Sequence, residues 1–188
     1  MIRIVGGACK KRPIRVPEGG VRPTKGIVRG AIFNIIGDNI TDAEVLDIFA
    51  GSGALGLEAL SRGARHCTFI EKRPTTLRTN ITALSFRKQT TILAHDFQRA
   101  LRQLKKRAFD LIFADPPYNK NLAQKVSDLV KRHGLLTNNG MLIIEHSPRE
   151  KISVPAKFYV LKQRKYGDTM ITIIKNTEGT EKKKHREH

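Results

Sequence analysis

The sequence predicts an α/β fold: a mainly parallel sheet with helices on both faces, finished by an antiparallel hairpin. Two observations predict it. From Val45 onward, short apolar runs (Val45–Phe49, Cys67–Ile70, Thr91–Ala94, Leu111–Ala114, Met141–Ile144) alternate with amphipathic stretches at about 54–62, 75–85, 97–106 and 121–133. Alternation of that kind builds parallel strands joined by crossover helices. After Pro155, Phe158–Lys165 and Thr169–Lys175 are extended with no helix between them, and Gly167-Asp168 marks a hairpin turn at their junction.

The chain before Val45 reads differently. Arg3–Gly6 and Ile14–Val16 are short extended pieces around a basic connection, Lys10-Lys11-Arg12, punctuated by Pro13, Pro17 and Gly19-Gly20. They form a hairpin-like arm. Thr24 suits an N-cap, and Ile27, Val28, Ala31, Ile32, Ile35 and Ile36 make the apolar stripe of a helix that Gly37 ends. Residues 1–42 are thus expected to form a basic β-arm and helix, 43–175 the main domain, and 176–188 a disordered polar tail.

A length of 188 residues suits one domain with a small appendage. No apolar run approaches the roughly 20 residues of a membrane span, and the first residues lack the apolar segment of a signal peptide. Cys9 and Cys67 provide neither a disulfide framework nor a metal-binding pair. A cytoplasmic protein without a metal or a membrane partner is the expectation. The charge is the strongest compositional signal: 35 Lys and Arg against 17 Asp and Glu, a net +18. The tail beyond Lys175 is nearly balanced, so the excess sits on the folded part. Such a surface collects polyanions by releasing their counterions.

Asp47-Ile48-Phe49-Ala50-Gly51-Ser52-Gly53 is a strand running into a glycine turn, and Gly51 to Gly56 matches G-x-G-x-x-G. Glu71 stands twenty residues further on, at the end of the next strand, where a carboxylate suits ribose hydroxyls. The motif alone does not separate NAD from S-adenosylmethionine. Asp47 favours the latter: a carboxylate there repels a pyrophosphate and attracts an ammonium or sulfonium charge. Capping of the glycine turn is the alternative role for Asp47. Asp96, after the third strand, is placed to accept from an adenine amine, to N-cap the following helix, or both.

The fourth strand runs into Asp115-Pro116-Pro117-Tyr118. Two prolines remove two N–H donors and stiffen the loop, so it presents carbonyls without competing donors. Asp115 and the Pro116 carbonyl can each take one hydrogen of an –NH₂ group, and Tyr118 offers a face for a base. A nucleobase amine is a poor nucleophile because its lone pair is conjugated. Two acceptors that pyramidalise it, and aim it at a methyl group, supply catalysis by alignment and desolvation.

Asp47–Gly53 together with Asp115–Tyr118 resembles the class I S-adenosylmethionine-dependent amino-methyltransferases. From Arg3 to about Lys175 the chain resembles the bacterial family that methylates guanine N2 in 16S ribosomal RNA. The residues carrying that likeness are Arg22-Pro23-Thr24, Arg29 and Phe33-Asn34, Ala50 to Ala64, Asp115-Pro116-Pro117-Tyr118, and Tyr166-Gly167 with Thr169. The resemblance implies a Rossmann-like, seven-stranded mixed sheet, S-adenosylmethionine as cofactor and a guanine-N2 product. The family usually carries an acidic residue at position 30, where this chain has Gly30.

The expected site is therefore as follows. Asp115, Pro116, Pro117 and Tyr118 are catalytic. Asp47, Phe49, Ala50, Gly51, Ser52, Gly53, Glu71, Lys72, Asp96 and Phe97 hold the cofactor. Lys10, Lys11, Arg12, Arg15, Arg22, Thr24, Lys25, Arg29 and Tyr166 meet RNA. Arg102, Lys105, Lys106 and Arg107 are either a second basic patch or a solvated helix face. A base inside a duplex cannot reach the Asp115 loop, so the target is a loop nucleotide or is flipped out. The expected partner is 16S ribosomal RNA, free or in the assembled small subunit, met by a monomer. An adenine-N6 methyltransferase, a NAD-dependent oxidoreductase and a non-enzymatic RNA-binding protein are the competing readings.

Overall fold

The computed structural model describes residues 1–17, 26–117 and 121–177. In the arm, β1 (Ile2–Arg3) and β2 (Pro13–Ile14) pair antiparallel, with Ile2 opposite Ile14. Then come α1 (Gly26–Ile36), a 3₁₀ turn (Gly37–Ile40), β3 (Glu44–Ile48), α2 (Ala54–Ser61), β4 (His66–Ile70) and α3 (Thr75–Ala83). A second 3₁₀ turn (Arg87–Gln89) leads to β5 (Thr90–Leu93), α4 (Phe97–Gln103), β6 (Phe109–Ala114) and α5 (Leu122–Arg132). The chain closes with β7 (Leu136–His146), β8 (Phe158–Tyr166) and β9 (Thr169–Asn176). The main sheet has seven strands in the order β5-β4-β3-β6-β7-β9-β8. From β5 to β7 neighbours are parallel; β9 runs antiparallel to both β7 and β8. The expected architecture is the observed one.

Period-two alternation divides the strand side chains between two cores. Val45, Leu111, Phe113, Met141 and Ile143 join α1, α2 and α3 on one face. Their neighbours Leu46, Ile48, Ile112, Leu142 and Ile144 join α4 and α5 on the other. Ile4, Cys9 and Ile14 of the arm belong to the first core, so the arm lies on the α1–α3 face.

Three expectations change. The buried stripe of α1 is Val28, Arg29, Ile32, Phe33 and Ile36, while Ile27 is 81% exposed: the helix is rotated by about one residue from the expected stripe. Strand β7 begins at Leu136, before its apolar run, because Phe109 of β6 pairs with Leu136 ahead of an irregularity in register. The ordered chain also extends past Lys175. Asn176 ends β9 and is buried, its side-chain amide donating to the Thr137 carbonyl at 3.1 Å. The remainder of the expected tail, residues 178–188, lies outside the described residues.

Candidate active site

Strand register assembles the site. Leu93, Ile70, Ile48, Ala114 and Ile144 stand abreast at the carboxyl ends of β5, β4, β3, β6 and β7. The chain builds outward from β3 to β5, then returns to place β6 on the other side of β3. That reversal opens a crevice at the carboxyl ends, where ligands of open α/β sheets bind. The glycine turn leaves β3 there after Ile48, and Asp115 leaves β6 immediately beside it after Ala114.

The turn is held in an uncommon conformation. Phe49 has φ +63°, a left-handed geometry that costs a bulky residue about 1–3 kcal/mol. Its ring packs on Phe97 with centroids 4.8 Å apart. The Ala50 N–H donates to the Ile70 carbonyl at 3.0 Å, and the Gly51 N–H donates to Glu71 Oε2 at 2.9 Å. The three glycines of the motif differ. Among the described residues, a Cβ on Gly51 would face open space, with only the Phe49 carbonyl oxygen, at 4.0 Å, near it. A Cβ on Gly53 would lie 2.5 Å from Leu77, and one on Gly56 would overlap the Phe69 ring and sit 2.6 Å from Cys67 Sγ. Gly53 and Gly56 let α2 pack against α3 and the sheet; Gly51 alone leaves room for a ligand.

Asp47 is 2% exposed and accepts the Gly56 N–H at 2.9 Å. The residue before α2, Gly53, has no side chain to cap the helix, so Asp47 caps it from the sheet. Burial pushes its carboxyl up to about 7, offset in part by the Gly56 hydrogen bond and reinforced by the charge of Glu71. The capping role named from sequence is therefore present, and the carboxyl is poised to gain charge when a cation arrives.

Glu71 is half-buried and accepts from the backbone N–H groups of Gly51 and Arg73. A carboxylate has about four lone-pair directions, so it keeps acceptors for a ribose. Asp96 N-caps α4, its Oδ1 accepting the Arg99 N–H at 3.1 Å; that bond, with nearby Lys72 and Arg102, holds its carboxyl below the usual range. Lys72 is exposed and Ser52 buried. Open space at Gly51, acceptors at Glu71 and Asp96 and a buried carboxyl at Asp47 fit the ribose, adenine and cationic end of S-adenosylmethionine.

Asp115 and Pro117 are half-buried and Pro116 is buried, consistent with a loop wedged against the strand ends. Tyr118 lies outside the described residues, as do Arg22, Thr24 and Lys25.

Lys10, Lys11, Arg12 and Arg15 are exposed. Arg12 is steered by donating to the Ala83 carbonyl at the end of α3. Tyr166 is half-buried against the α1–α3 core. Arg29 departs from expectation. It is 1% exposed, donates to the Arg3 carbonyl at 2.6 Å, and its guanidinium pKa is lowered by burial and raised by Glu58. So buried a side chain pins the arm to α1 and does not reach a phosphate. The Arg102, Lys105, Lys106 and Arg107 cluster is exposed.

Sequence reasoning missed the residues that seat the arm. Glu58, fully buried in α2, accepts the N–H groups of Val5 at 2.8 Å and Gly6 at 2.7 Å and pairs with Arg62 at 2.8 Å. Ser61 Oγ accepts the Cys9 N–H and donates to the Gly6 carbonyl. Asn80 accepts the Arg15 N–H, and its amide donates to the carbonyls of Arg15 and Ser52, each at 2.9 Å. The arm thus ends against the cofactor turn. A carboxylate within the otherwise apolar α2 was the available signal for Glu58; nothing local marked Asn80.

Comparison with known proteins agrees with this geometry. The family described as "Conserved hypothetical protein 95" matches residues 2–175. Ribosomal RNA small subunit methyltransferase D of Escherichia coli (strain K12) is 34% identical over 170 residues, covering 88% of this chain and 85% of that protein. The protein of that name from Haemophilus influenzae (strain ATCC 51907 / DSM 11121 / KW20 / Rd) is 32% identical over 181 residues, 93% of this chain and 94% of its own length. The solved structure of the Escherichia coli protein yhhF superposes with a TM-score of 0.83 at 32% identity, covering 94% of this chain and 98% of that one. The chain belongs to this conserved family, to which it is joined over almost its whole length, alongside relatives named ribosomal RNA small subunit methyltransferase D.

Proposed function

We propose that this protein transfers a methyl group from S-adenosylmethionine to the exocyclic N2 amine of a guanine in 16S ribosomal RNA. One observation carries the reading: Ile48 pairs with Ala114, which sets the glycine turn beside the acceptor loop at Asp115. A cofactor turn and an amine-holding loop side by side are what methyl transfer onto nitrogen requires. The relatives' names supply ribosomal RNA of the small subunit, and the family resemblance supplies guanine N2. Such a substrate places the protein in the cytoplasm. Among the described residues no helix is long and apolar enough to cross a membrane.

The cofactor supplies an activated methyl group on a sulfonium. The chain's residues do the rest. Glu71 and Asp96 orient the nucleoside end, and Asp47 balances the cationic end. The Asp115 carboxylate and the Pro116 carbonyl accept the two amine hydrogens and direct the nitrogen lone pair at the methyl carbon. Bound there, the cofactor would supply the methyl group to the amine nitrogen, and the amine proton would leave to water directly or by way of Asp115. Alignment at the strand ends supplies most of the rate. Residues 1–42 contact RNA while sharing the α1–α3 core.

The test is incubation with methyl-labelled cofactor and 16S ribosomal RNA, naked and in small subunits, followed by nucleoside mass spectrometry. The expected product is N2-methylguanosine. N6-methyladenosine would transfer the same chemistry to another base, and NADH binding without S-adenosylmethionine binding would overturn the reading.

A further inference from the structure

At the edge of the sheet, α3, the second 3₁₀ turn and the edge strand β5 border an open cleft of about 450 Å³. It is lined by Arg78, Ile81, Thr82, Arg87, Thr90 and Ile92. The volume lies within the roughly 300–1,000 Å³ of small-ligand sites. The lining is divided: Ile81 and Ile92 are the apolar floor, and two guanidinium groups and two hydroxyls are the polar part.

The arginines are arranged and uncompensated. Thr82 Oγ1 donates to the Arg78 carbonyl at 2.9 Å and accepts Arg87 Nε at 3.0 Å. That bond fixes the plane of the Arg87 guanidinium through its Nε and leaves the paired terminal nitrogens for another acceptor, the fork that suits a phosphate. Among the described residues neither Arg78 nor Arg87 has a carboxylate within 4.0 Å. The stretch 72–95 contains Lys72, Arg73, Arg78, Arg87 and Lys88 and no Asp or Glu. The arm approaches the same helix end, where Arg12 donates to the carbonyl of Ala83, next to Thr82.

We propose that this cleft is an RNA-backbone subsite, in which the exposed Arg78 and Arg87 grip a phosphate near the target nucleotide and the half-buried Ile92 packs against its sugar. The inference rests on RNA being the substrate. In the sheet β4 and β3 stand between β5 and β6, so at about 4.8 Å per strand the subsite lies roughly 14 Å from the Asp115 loop. At that distance it positions RNA and takes no part in the methyl transfer.

Filter binding of in-vitro-transcribed 16S ribosomal RNA across a salt series tests this. The pair Arg78→Glu with Arg87→Glu is compared with Lys125→Glu with Arg132→Glu, an equal charge change on exposed α5 residues. The first pair should bind about tenfold more weakly than the second at physiological salt, and its slope of log K against log salt should be shallower by about 1–2. Calorimetry should show S-adenosylmethionine affinity within twofold of the parent for both, which also reports folding. Arg78→Lys with Arg87→Lys should recover the salt slope. Equal affinity and equal slope for the two Glu pairs would overturn the subsite. If the parent protein binds this RNA yet yields no N2-methylguanosine, the activity reading falls while the comparison of the pairs still decides the subsite.

Discussion

Asp47 accepts the backbone N–H of Gly56 from within the sheet, with its carboxylate 2% exposed and its pKa pushed up by burial to about 7. The carboxyl therefore keeps its proton in the folded chain over a range where an unfolded Asp, titrating near 4, has lost it. Between those limits the folded state binds more protons. Its stability from this group falls as pH rises from about 4 to about 7 and levels above that. A cation placed nearby lowers the pKa again, so binding it releases a proton. S-adenosylmethionine affinity should climb between pH 6 and pH 8, and Asp47→Asn, which keeps an acceptor for Gly56, should flatten the climb in calorimetric titrations. An unchanged pH profile would remove Asp47 from the cofactor's field.

Asp115→Ala should reduce methyl transfer by at least a hundredfold, in line with loss of an acceptor aimed at developing charge. Cofactor affinity should stay within a few-fold. Equal loss of both would make Asp115 a cofactor ligand instead.

Charge reversal at Lys10, Lys11 and Arg12 should weaken RNA binding and flatten its salt dependence. These side chains are exposed on a connection whose backbone is tied down, so the fold should persist. A salt slope equal to the parent's would take the arm out of the RNA interface.

Glu58→Ala should detach the arm. It strips the Val5 and Gly6 N–H groups and Arg62 of their shared acceptor and removes the carboxylate nearest in charge to Arg29. Breaking such a buried set costs on the order of 3 kcal/mol. Thermal melts should show the loss, and limited proteolysis should cut the arm first. A variant as stable as the parent would mean that the apolar contacts of Ile4 and Ile14 suffice.

Gly30→Ala should stabilise the protein. Gly30 lies inside α1, and among the described residues an added Cβ meets only Val5, at an ordinary 3.8 Å. Replacing a helix-interior glycine gains about 1 kcal/mol, or a rise in Tm of about 2–4 °C. A fall in Tm would show that the position needs glycine for a reason other than space.

The sheet was legible because its strands alternate: Val45 against Leu46 and Ile112 against Phe113 divide between two cores as period two requires. The start of β7 was not, since Thr137, Asn138 and Asn139 are polar and the extension rests on the pairing of Leu136 with Phe109 across an irregularity in register. The cofactor turn and the acceptor loop were legible because glycines and prolines carry their geometry with them. Arg29 has its place written in the spacing: it stands four residues before Phe33 and seven before Ile36, on the buried stripe, and its charge masks that periodicity. Asn80 and Ser61 could not be found, because their partners are 65 and 52 residues away in the chain and no local pattern records such a contact.

The three glycines of the cofactor turn bear on how such motifs are used. At Gly56 the constraint is the thickness of a phenylalanine ring between helix and sheet, and at Gly53 it is the side chain of Leu77. A match to G-x-G-x-x-G therefore reports the packing of a helix at two positions, against its sheet at Gly56 and against α3 at Gly53, and open space at one. Its information about cofactor identity is correspondingly small. The residues proposed here to discriminate lie outside it, at Asp47 before the turn and at Asp115 just past the neighbouring strand.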